Sequence, residues 1–259
     1  DTGTYPVTSG NPIVIDGRNM GTAFYPVKIY GSPNILAGGT RLVGNGTANG
    51  FSIQNTRSIE IYDFRVEKAQ NGISLLNAAD IRMEGMEFYD NRPNGLWTSS
   101  CSGIQLRRAR LWGNSQYGYF STEGRGGEQL LNSTVWGNRL GAVRADRSLT
   151  VSGSILGVTN AASLYMEVGM SGFIGGDYNL FRLVPGSVIC SNLAERVDYA
   201  NLRQWQEKGR DLHSLVFEPM FVNSATGDFH LQSRAGYWSN GNWAVSTNTS
   251  WAIDAGNPL

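Results

Sequence analysis

The chain has 259 residues, 41% of them hydrophobic, so it is long and apolar enough to bury a sizeable core. Acidic and basic residues number 21 each, and this balance excludes the whole-surface field that attracts DNA, RNA or an anionic membrane. The 33 glycines and the frequent Asn, Ser and Thr favour short strands joined by turns, which indicates an all-β protein.

The first 49 residues contain two strand-like phrases, PIVIDG and PVKIYGS. They predict irregular first coils, with insertions, of the repeat that follows. The chain starts inside such a phrase, with neither the charged nor the apolar segment of a signal peptide. We therefore expect a bacterial module, secreted or on the cell surface, that belongs to a longer polypeptide.

A repeat governs residues 50–157. Glycines at positions 50, 72, 95, 118 and 141 are separated by 22, 23, 23 and 23 residues, and each precedes a strand-like phrase such as FSIQN or ISLLN. A fixed period of this length is the signature of a solenoid, in which each coil stacks on its neighbours. The sequence therefore predicts a parallel β-helix.

Alternation within each coil assigns the side chains to an inner and an outer face. The predicted inner residues are apolar on every coil: Ile59, Ile61, Val66, Ile81, Met83, Phe88, Ile104, Leu106, Leu111, Val135 and Leu156. A corner column should have positive φ, which Gly and Asn tolerate: Asp63, Gly85, Arg108, Asn132 and Gly153. The next outer column is predicted to be a structural ladder of alternating charge: Arg65, Glu87, Arg110 and Thr134.

These phrases resemble the right-handed parallel β-helix proteins, a fold shared by many secreted polysaccharide lyases, hydrolases and polysaccharide-binding modules. The resemblance covers at least residues 50–157. It implies a single all-β domain over residues 1–259, with irregular first coils at 1–49, regular coils at 50–157, and last coils with a short helix and a cap at 158–259.

The C-terminal part contains one helical phrase, RVDYANLRQWQEKG at residues 196–209. Asp198 is predicted to cap its start and Gly209 to end it. The later phrases FEPMFVNSATGDFHLQS and SWAIDAGNP resemble the closing segments of bacterial β-helix proteins, and we expect them to cover the last coil. The two histidines, His213 and His230, both lie in this tail, and His230 is expected to be a structural strand residue.

Aromatic residues recur at two outer positions. One column holds Tyr89, Trp112 and Trp136, and the other holds Ser74, Trp97, Phe120 and Val143. The candidate polar anchors beside them are Tyr117, Arg139, Arg144 and Asp146. Aromatic faces with hydrogen-bonding neighbours suit sugar rings. The alternative is that these rings only stack, or that a loop from the N-terminal insertion or the tail covers them.

Two carboxylates, Glu123 and Asp146, each lie five residues after a coil glycine, so the period predicts that they stack about 5 Å apart. Such a pair suits a calcium site or the two carboxyls of a retaining glycosidase. Pectate-lyase-like sites need an Arg or Lys base beside several calcium-binding acids, and Glu123, Asp146 and Arg144 match that pattern only in part. The alternative is a solvated turn that nearby arginines neutralise.

The preferred functional prediction is a non-catalytic carbohydrate-binding module, similar to the β-helix modules attached to plant-cell-wall hydrolases. It would dock xylan or another hemicellulose on the aromatic and polar residues named above and target an attached enzyme, as a monomer with no cofactor beyond an optional calcium ion. The first alternative is a polysaccharide lyase or glycoside hydrolase around Glu123, Arg144 and Asp146. The second is a structural segment of a large adhesin.

Overall fold

The computed structural model describes residues 2–33, 39–169, 172–239 and 241–253. Every coil up to residue 177 contributes a strand to each of three sheets, the last coil contributes to only two of them, and strands of successive coils pair in parallel. The predicted all-β parallel solenoid is therefore confirmed. Residues before position 50 already form complete coils, since the first three strands pair with the strands of the coil that follows.

The strands of the solenoid fall into three sheets, named here sheet I, sheet II and sheet III. Sheet I contains β1 (Gly3–Val7), β4 (Thr40–Gly44), β7 (Phe64–Glu67), β10 (Glu87–Tyr89), β13 (Arg110–Trp112), β16 (Thr134–Trp136), β19 (Ile155–Gly157), β22 (Leu180–Arg182) and β25 (Leu215–Val216). Sheet II contains β2 (Val14–Ile15), β5 (Phe51–Gln54), β8 (Ile73–Leu76), β11 (Leu96–Ser99), β14 (Tyr117–Thr122), β17 (Gly141–Ala145), β20 (Ser163–Glu167), β23 (Val188–Asn192) and the antiparallel β24 (Val197–Tyr199). Sheet III contains β3 (Val27–Tyr30), β6 (Arg57–Tyr62), β9 (Ala79–Glu84), β12 (Ser102–Arg107), β15 (Glu128–Leu131), β18 (Ser148–Ser152) and β21 (Phe173–Asp177).

The tail adds two antiparallel hairpins and short helices to the solenoid. The first hairpin pairs β26 (Phe221–Asn223) with β27 (Asp228–Leu231), and the second pairs β28 (Tyr237–Ser239) with β29 (Asn242–Ala244). The helices of the tail are α1 (Leu202–Gln206) and the 3₁₀ turn Ser224–Thr226, and a further 3₁₀ turn, Gly17–Asn19, lies in the first coil. No helix among the described residues is long and apolar enough to cross a membrane.

The core is a stack of apolar layers inside the coils, and every inner residue predicted from the alternation is buried. Side-chain amides add a hydrogen-bonded stack at the turn between sheets I and II. Asn91 donates from Nδ2 to Oδ1 of Asn114 at 3.1 Å, and Asn114 donates in the same way to Asn138 at 2.8 Å. This stack satisfies buried turn amides that no sheet pairs, which holds successive coils in register.

The corner column after sheet III also has the predicted backbone conformation. Asp63, Arg108 and Asn132 have φ of 60°, 49° and 49°, and Gly85 and Gly153 at the same position have φ of 67° and 62°. Asp and Asn tolerate this left-handed region better than Arg does. The corner geometry therefore does not explain an arginine at position 108.

The helical phrase is shorter than predicted. The helix spans only Leu202–Gln206, because Val197–Tyr199 pairs with the edge of sheet II as β24. Its N-cap is Asn201, whose side chain accepts a hydrogen bond from the Gln204 amide, and not Asp198. Gly209 follows the helix with a left-handed φ of 75°, as a terminating glycine requires.

The tail folds back along the outside of the solenoid. Residues of the first hairpin pack against the outer face of sheet I. The closing phrase SWAIDAGNP is described only as far as position 253, and the rest of it lies outside the described residues. The outer face of sheet I therefore has a protein cover over its later coils.

Candidate functional site

The predicted aromatic platform is buried. Trp112 and Trp136 stack on neighbouring strands of sheet I, but each is only 7% exposed. Phe221 of the hairpin contacts Trp136 edge-on with ring centroids 4.9 Å apart, and Phe229 contacts Trp112 at 5.7 Å. The prediction that these indoles bind sugar is wrong, because the tail uses them as its docking surface. Tyr89 is half-buried, and its ring stacks on Trp112 at 3.8 Å.

The second aromatic column differs from the prediction by one residue. Phe120 pairs with Arg144, not with Val143, because the strands β14 and β17 are offset by 24 residues, one more than the glycine spacing. Val143 is core, and Arg144 holds its guanidinium carbon 4.5 Å from the Phe120 ring centroid. Trp97, Phe120 and Arg144 are half-buried and lie side by side on the outer face of sheet II.

One of the other two predicted anchors contacts this row. Tyr117 is buried, and its ring lies against Phe120 with centroids 5.7 Å apart, while the guanidinium carbon of Arg144 is 5.8 Å from its ring centroid. Arg139 lies exposed in the turn before β17, where its carbonyl accepts a hydrogen bond from Asn160. Of the predicted residues, the structure therefore brings Trp97, Tyr117, Phe120 and Arg144 together.

The row leads to a cleft at the corner where sheet II turns into sheet III. On three successive coils, the connection at this corner consists of residues 100–101, 123–127 and 146–147. The middle connection therefore has five residues, whereas those of the coils before and after it have two each. The longer connection opens a cleft of about 510 Å³ lined by Glu123, Gly124, Arg125, Gly126, Arg147 and Ser148. We call it the corner cleft.

The corner cleft carries one exposed carboxylate and two exposed guanidiniums. Glu123 accepts a hydrogen bond from the Ser100 hydroxyl at 3.0 Å, while Arg125 and Arg147 are exposed beside it. A planar guanidinium suits the paired recognition of a carboxylate. The cleft can therefore bind an acidic group next to a carboxylate that is able to accept a proton.

Glu123 and Asp146 do not form the predicted stacked pair. Ser121 pairs with Ala145, so the same register places Asp146 beside Thr122 and Arg147 beside Glu123. The physical reason is again the 24-residue offset between β14 and β17. Asp146 is half-buried, and its Oδ1 is buried without a hydrogen-bond partner among the described residues.

A second carboxyl lies behind the corner cleft. Glu128 is 1% exposed and stands in a core column of sheet III that otherwise holds Ile81, Ile104 and Leu149. Its carboxyl accepts hydrogen bonds from the hydroxyls of Tyr119 at 2.8 Å and Thr98 at 3.2 Å. Burial raises the pKa of Glu128, and the charge of Asp146 adds to this increase.

Gly124 separates this buried carboxyl from the cleft. A Cβ atom added to Gly124 would lie 3.1 Å from Oε1 of Glu128 and 3.3 Å from Oγ of Ser121. The sequence contained a signal for this arrangement, since Glu128 aligns with Ile104 of the preceding coil. A carboxyl at a position that other coils fill with isoleucine is a costly choice in a core. It was missed because only the outer columns were searched for chemistry.

The donor set fits a calcium ion poorly. No group of three or more His, Cys, Asp and Glu side chains that could hold a metal occurs among the described residues. Calcium takes six to eight oxygen ligands. Glu123 and Asp146 supply few of them, and they do not occupy directly paired positions on their neighbouring coils. Calcium at these two residues stays a prediction.

The chain is similar to one known protein family and to solved structures of other proteins. The model of the family described as "Right handed beta helix region" matches residues 14–170. Among solved structures, pectate lyase Pel9A is similar over 95% of this chain and 80% of its own, with 13% identity and a TM-score of 0.57. An alginate lyase from Paenibacillus sp. str. FPU-7 is similar over 74% of this chain and 82% of its own, with 12% identity and a TM-score of 0.51. No curated protein matches the sequence.

These findings correct the preferred functional prediction. A non-catalytic xylan-binding module was wrong, because its principal platform is covered by the chain's own hairpin and because the similar structures are polysaccharide lyases. At 12–13% sequence identity, the structural similarity shows a shared fold and nothing about the reaction. The function has to be argued from the residues of the site.

Proposed function

The chain belongs to the right-handed β-helix family, and from that premise we propose that it is a polysaccharide lyase acting on an acidic polysaccharide at the corner cleft. The observation that carries the proposal is the cleft itself, where Glu123 lies beside Arg125 and Arg147 above the buried Glu128. The two lyases that share the fold support it, since pectate and alginate are both polymers of uronic acids.

The reaction would be a β-elimination. Arg125 and Arg147 bind the uronate carboxylate and stabilise the negative charge that develops when the adjacent C–H bond loses its proton. Glu123 accepts that proton as general base. The electron pair forms the C=C bond as the bond to the glycosidic oxygen breaks, and the oxygen takes up a proton. The step consumes no water and needs no oxidant.

The neighbouring residues would bind the sugars on either side. Trp97 and Phe120 offer ring faces on sheet II, and Arg144 offers a guanidinium held over Phe120. Asp146 follows Arg144 in the direction of the cleft, but its Oδ1 is buried and is therefore not accessible to a sugar hydroxyl. The row and the cleft together would hold several sugars of one chain.

The test is product analysis with polygalacturonate, alginate and neutral xylan. We expect the first or the second to yield products with the ultraviolet absorbance of an unsaturated uronate, in step with the appearance of reducing ends. Reducing ends without that absorbance would show hydrolysis and would overturn the lyase. Xylan serves as the neutral control, and equal cleavage of xylan would contradict recognition by the arginines.

A further inference from the structure

A second cleft lies on the other side of the molecule, between sheet I and the first hairpin. It has a volume of about 380 Å³ and is lined by Arg108, Ala109, Arg110, Asn132, Thr134, Phe229 and His230. We call it the hairpin cleft. None of its lining residues contributes to the corner cleft.

The hairpin cleft is lined by bases and contains no acid. Arg108, Arg110 and His230 all line it, whereas their acidic partners, Glu84, Glu87 and Asp228, do not. Each arginine has five N–H donors. Arg110 gives one of them to Glu87 at 3.0 Å, which leaves donors for a ligand on a side chain that is 38% exposed.

His230 is oriented by a carboxylate. Its Nδ1 lies 2.6 Å from Oδ1 of Asp228, and its backbone amide donates to the same oxygen at 3.1 Å. Because Nδ1 is engaged, Nε2 is the ring nitrogen available to a ligand. The predicted structural strand histidine therefore also forms part of the wall of a basic cleft.

Arg108 adds an exposed guanidinium to the hairpin cleft from a backbone position that disfavours arginine. The residue occupies the left-handed corner position, where neighbouring coils have Gly85 and Asn132, and its side chain is 72% exposed. At this position, which suits Gly or Asn, the long cationic side chain pairs with Glu84 of the preceding coil. The remaining N–H donors of the exposed guanidinium can bind an anion at the mouth of the cleft.

A row of arginines, with acids between them, continues along the solenoid. A neighbouring cavity of about 240 Å³ shares Arg110 and is lined by Arg41 and Arg65 as well as by Asp63 and Glu87. The outer column from Arg41 to Thr134 spans four coil steps, which is about 19 Å at the usual strand spacing. This is the length of an extended oligosaccharide rather than of a single ion.

We propose that the hairpin cleft is a second binding site for a carboxylate-bearing oligosaccharide, held by Arg108 and Arg110 with His230 at its wall. Its choice of ligand rests on the proposed function, but the site is separate from the catalytic one. Binding there would keep a second stretch of the polymer on the enzyme between cleavage events.

The chain's two histidines make a direct experiment possible. A purified Glu123→Gln variant, which should not cleave its substrate, is titrated with hexagalacturonate while the imidazole C–H signals are followed by NMR. We expect the His230 signal to shift saturably and the His213 signal to stay in place, with signals assigned through His213→Gln. Arg108→Asn should weaken the apparent affinity about tenfold, the equivalent of one charge-assisted hydrogen bond.

Matched controls show whether a shift of the His230 signal reports binding in the hairpin cleft. Arg203→Asn removes another exposed arginine, 89% exposed against 72% for Arg108, from α1 and should leave the titration unchanged. Xylohexaose, which carries no charge, tests whether the ligand's carboxylates are needed. A His213 signal at the same chemical shift as in the parent protein shows that the Arg108→Asn variant is folded. An immobile His230 signal, or an equal response to xylohexaose, would overturn the second site. Neither result depends on product formation, so failure of the lyase proposal is seen separately.

Discussion

The hydroxyl of Tyr119 donates a 2.8 Å hydrogen bond to the carboxyl of Glu128 inside the solenoid, where the preceding coils have Ile81 and Ile104 at the position of the glutamate. Burial raises the pKa of Glu128 above its value in the unfolded chain. The folded protein therefore keeps this proton to higher pH than the unfolded chain does. The free energy of unfolding should consequently fall as the pH rises above about 4.3, the ordinary glutamate pKa, and through the raised one.

Glu128→Gln should remove part of this pH dependence, because glutamine can still accept the Tyr119 hydrogen bond and carries no titrating proton. Urea unfolding of both proteins across mildly acidic to neutral pH measures the difference. Some slope should remain, since burial also raises the pKa of Asp211. Identical slopes in the two proteins would contradict the assignment of a buried, proton-holding carboxyl.

Glu123→Gln should lower kcat by about 10²- to 10⁴-fold, the usual contribution of a general base. The side chain is exposed and accepts hydrogen bonds from serine hydroxyls, so folding should be little affected. The matched control is Glu207→Gln at the C-cap of α1, which neutralises another exposed carboxylate. If kcat fell equally in both variants, Glu123 would not be the base.

Arg144→Ala should raise KM more than it lowers kcat. The guanidinium lies over Phe120 on the outer row, beside the corner cleft and not in its lining. Loss of one charge-assisted bond to a uronate costs about 1.5–3 kcal/mol, or roughly 10- to 100-fold in KM. Steady-state kinetics on the preferred polyuronate, with Arg203→Ala as control, measure the effect. An unchanged KM would remove the row from the substrate site.

Gly157→Ala should destabilise the protein through Trp136. A Cβ atom at position 157 would lie 2.1 Å from Cζ3 of the indole, which is held between sheet I and the hairpin. Overpacking of this kind costs about 1–3 kcal/mol. Thermal unfolding provides the measurement, and Gly10→Ala is the control, because this glycine is exposed, lies outside the left-handed region and would place its Cβ no closer than 3.9 Å to Oγ1 of Thr8. Equal stability of the variant and the parent would show that the hairpin yields easily.

The period and the alternation predicted most of the fold because stacked coils repeat one geometry. Each inner residue and each corner, Asn132 among them, follows from a count along the chain. That count failed at Asp146, because one residue is inserted between β14 and β15, where the offset from the preceding coil rises from 23 residues at Ser99–Thr122 to 24 at Gln105–Gln129. Spacing between glycines cannot show where within a coil the extra residue lies.

The repeat does not predict whether an outer face of the solenoid is exposed to solvent or covered by another part of the chain. Trp112 and Trp136 satisfy the pattern of an exposed column, and only the tail, which does not repeat, decides that they are covered. Position 128 was different, since the aligned phrases already placed a glutamate where an isoleucine was expected. A search of the inner columns for polar residues would have found the carboxyl behind the corner cleft.

The five-residue connection at 123–127 has a consequence for how such a molecule can change over evolution. Added length at a corner leaves the paired strands on either side intact, and the entropic cost of lengthening a loop rises only slowly. Insertions can accumulate there and alter the shape of the cleft while the scaffold persists. The same corner on neighbouring coils, closed by two residues, is a natural place to graft a longer segment and build a new specificity.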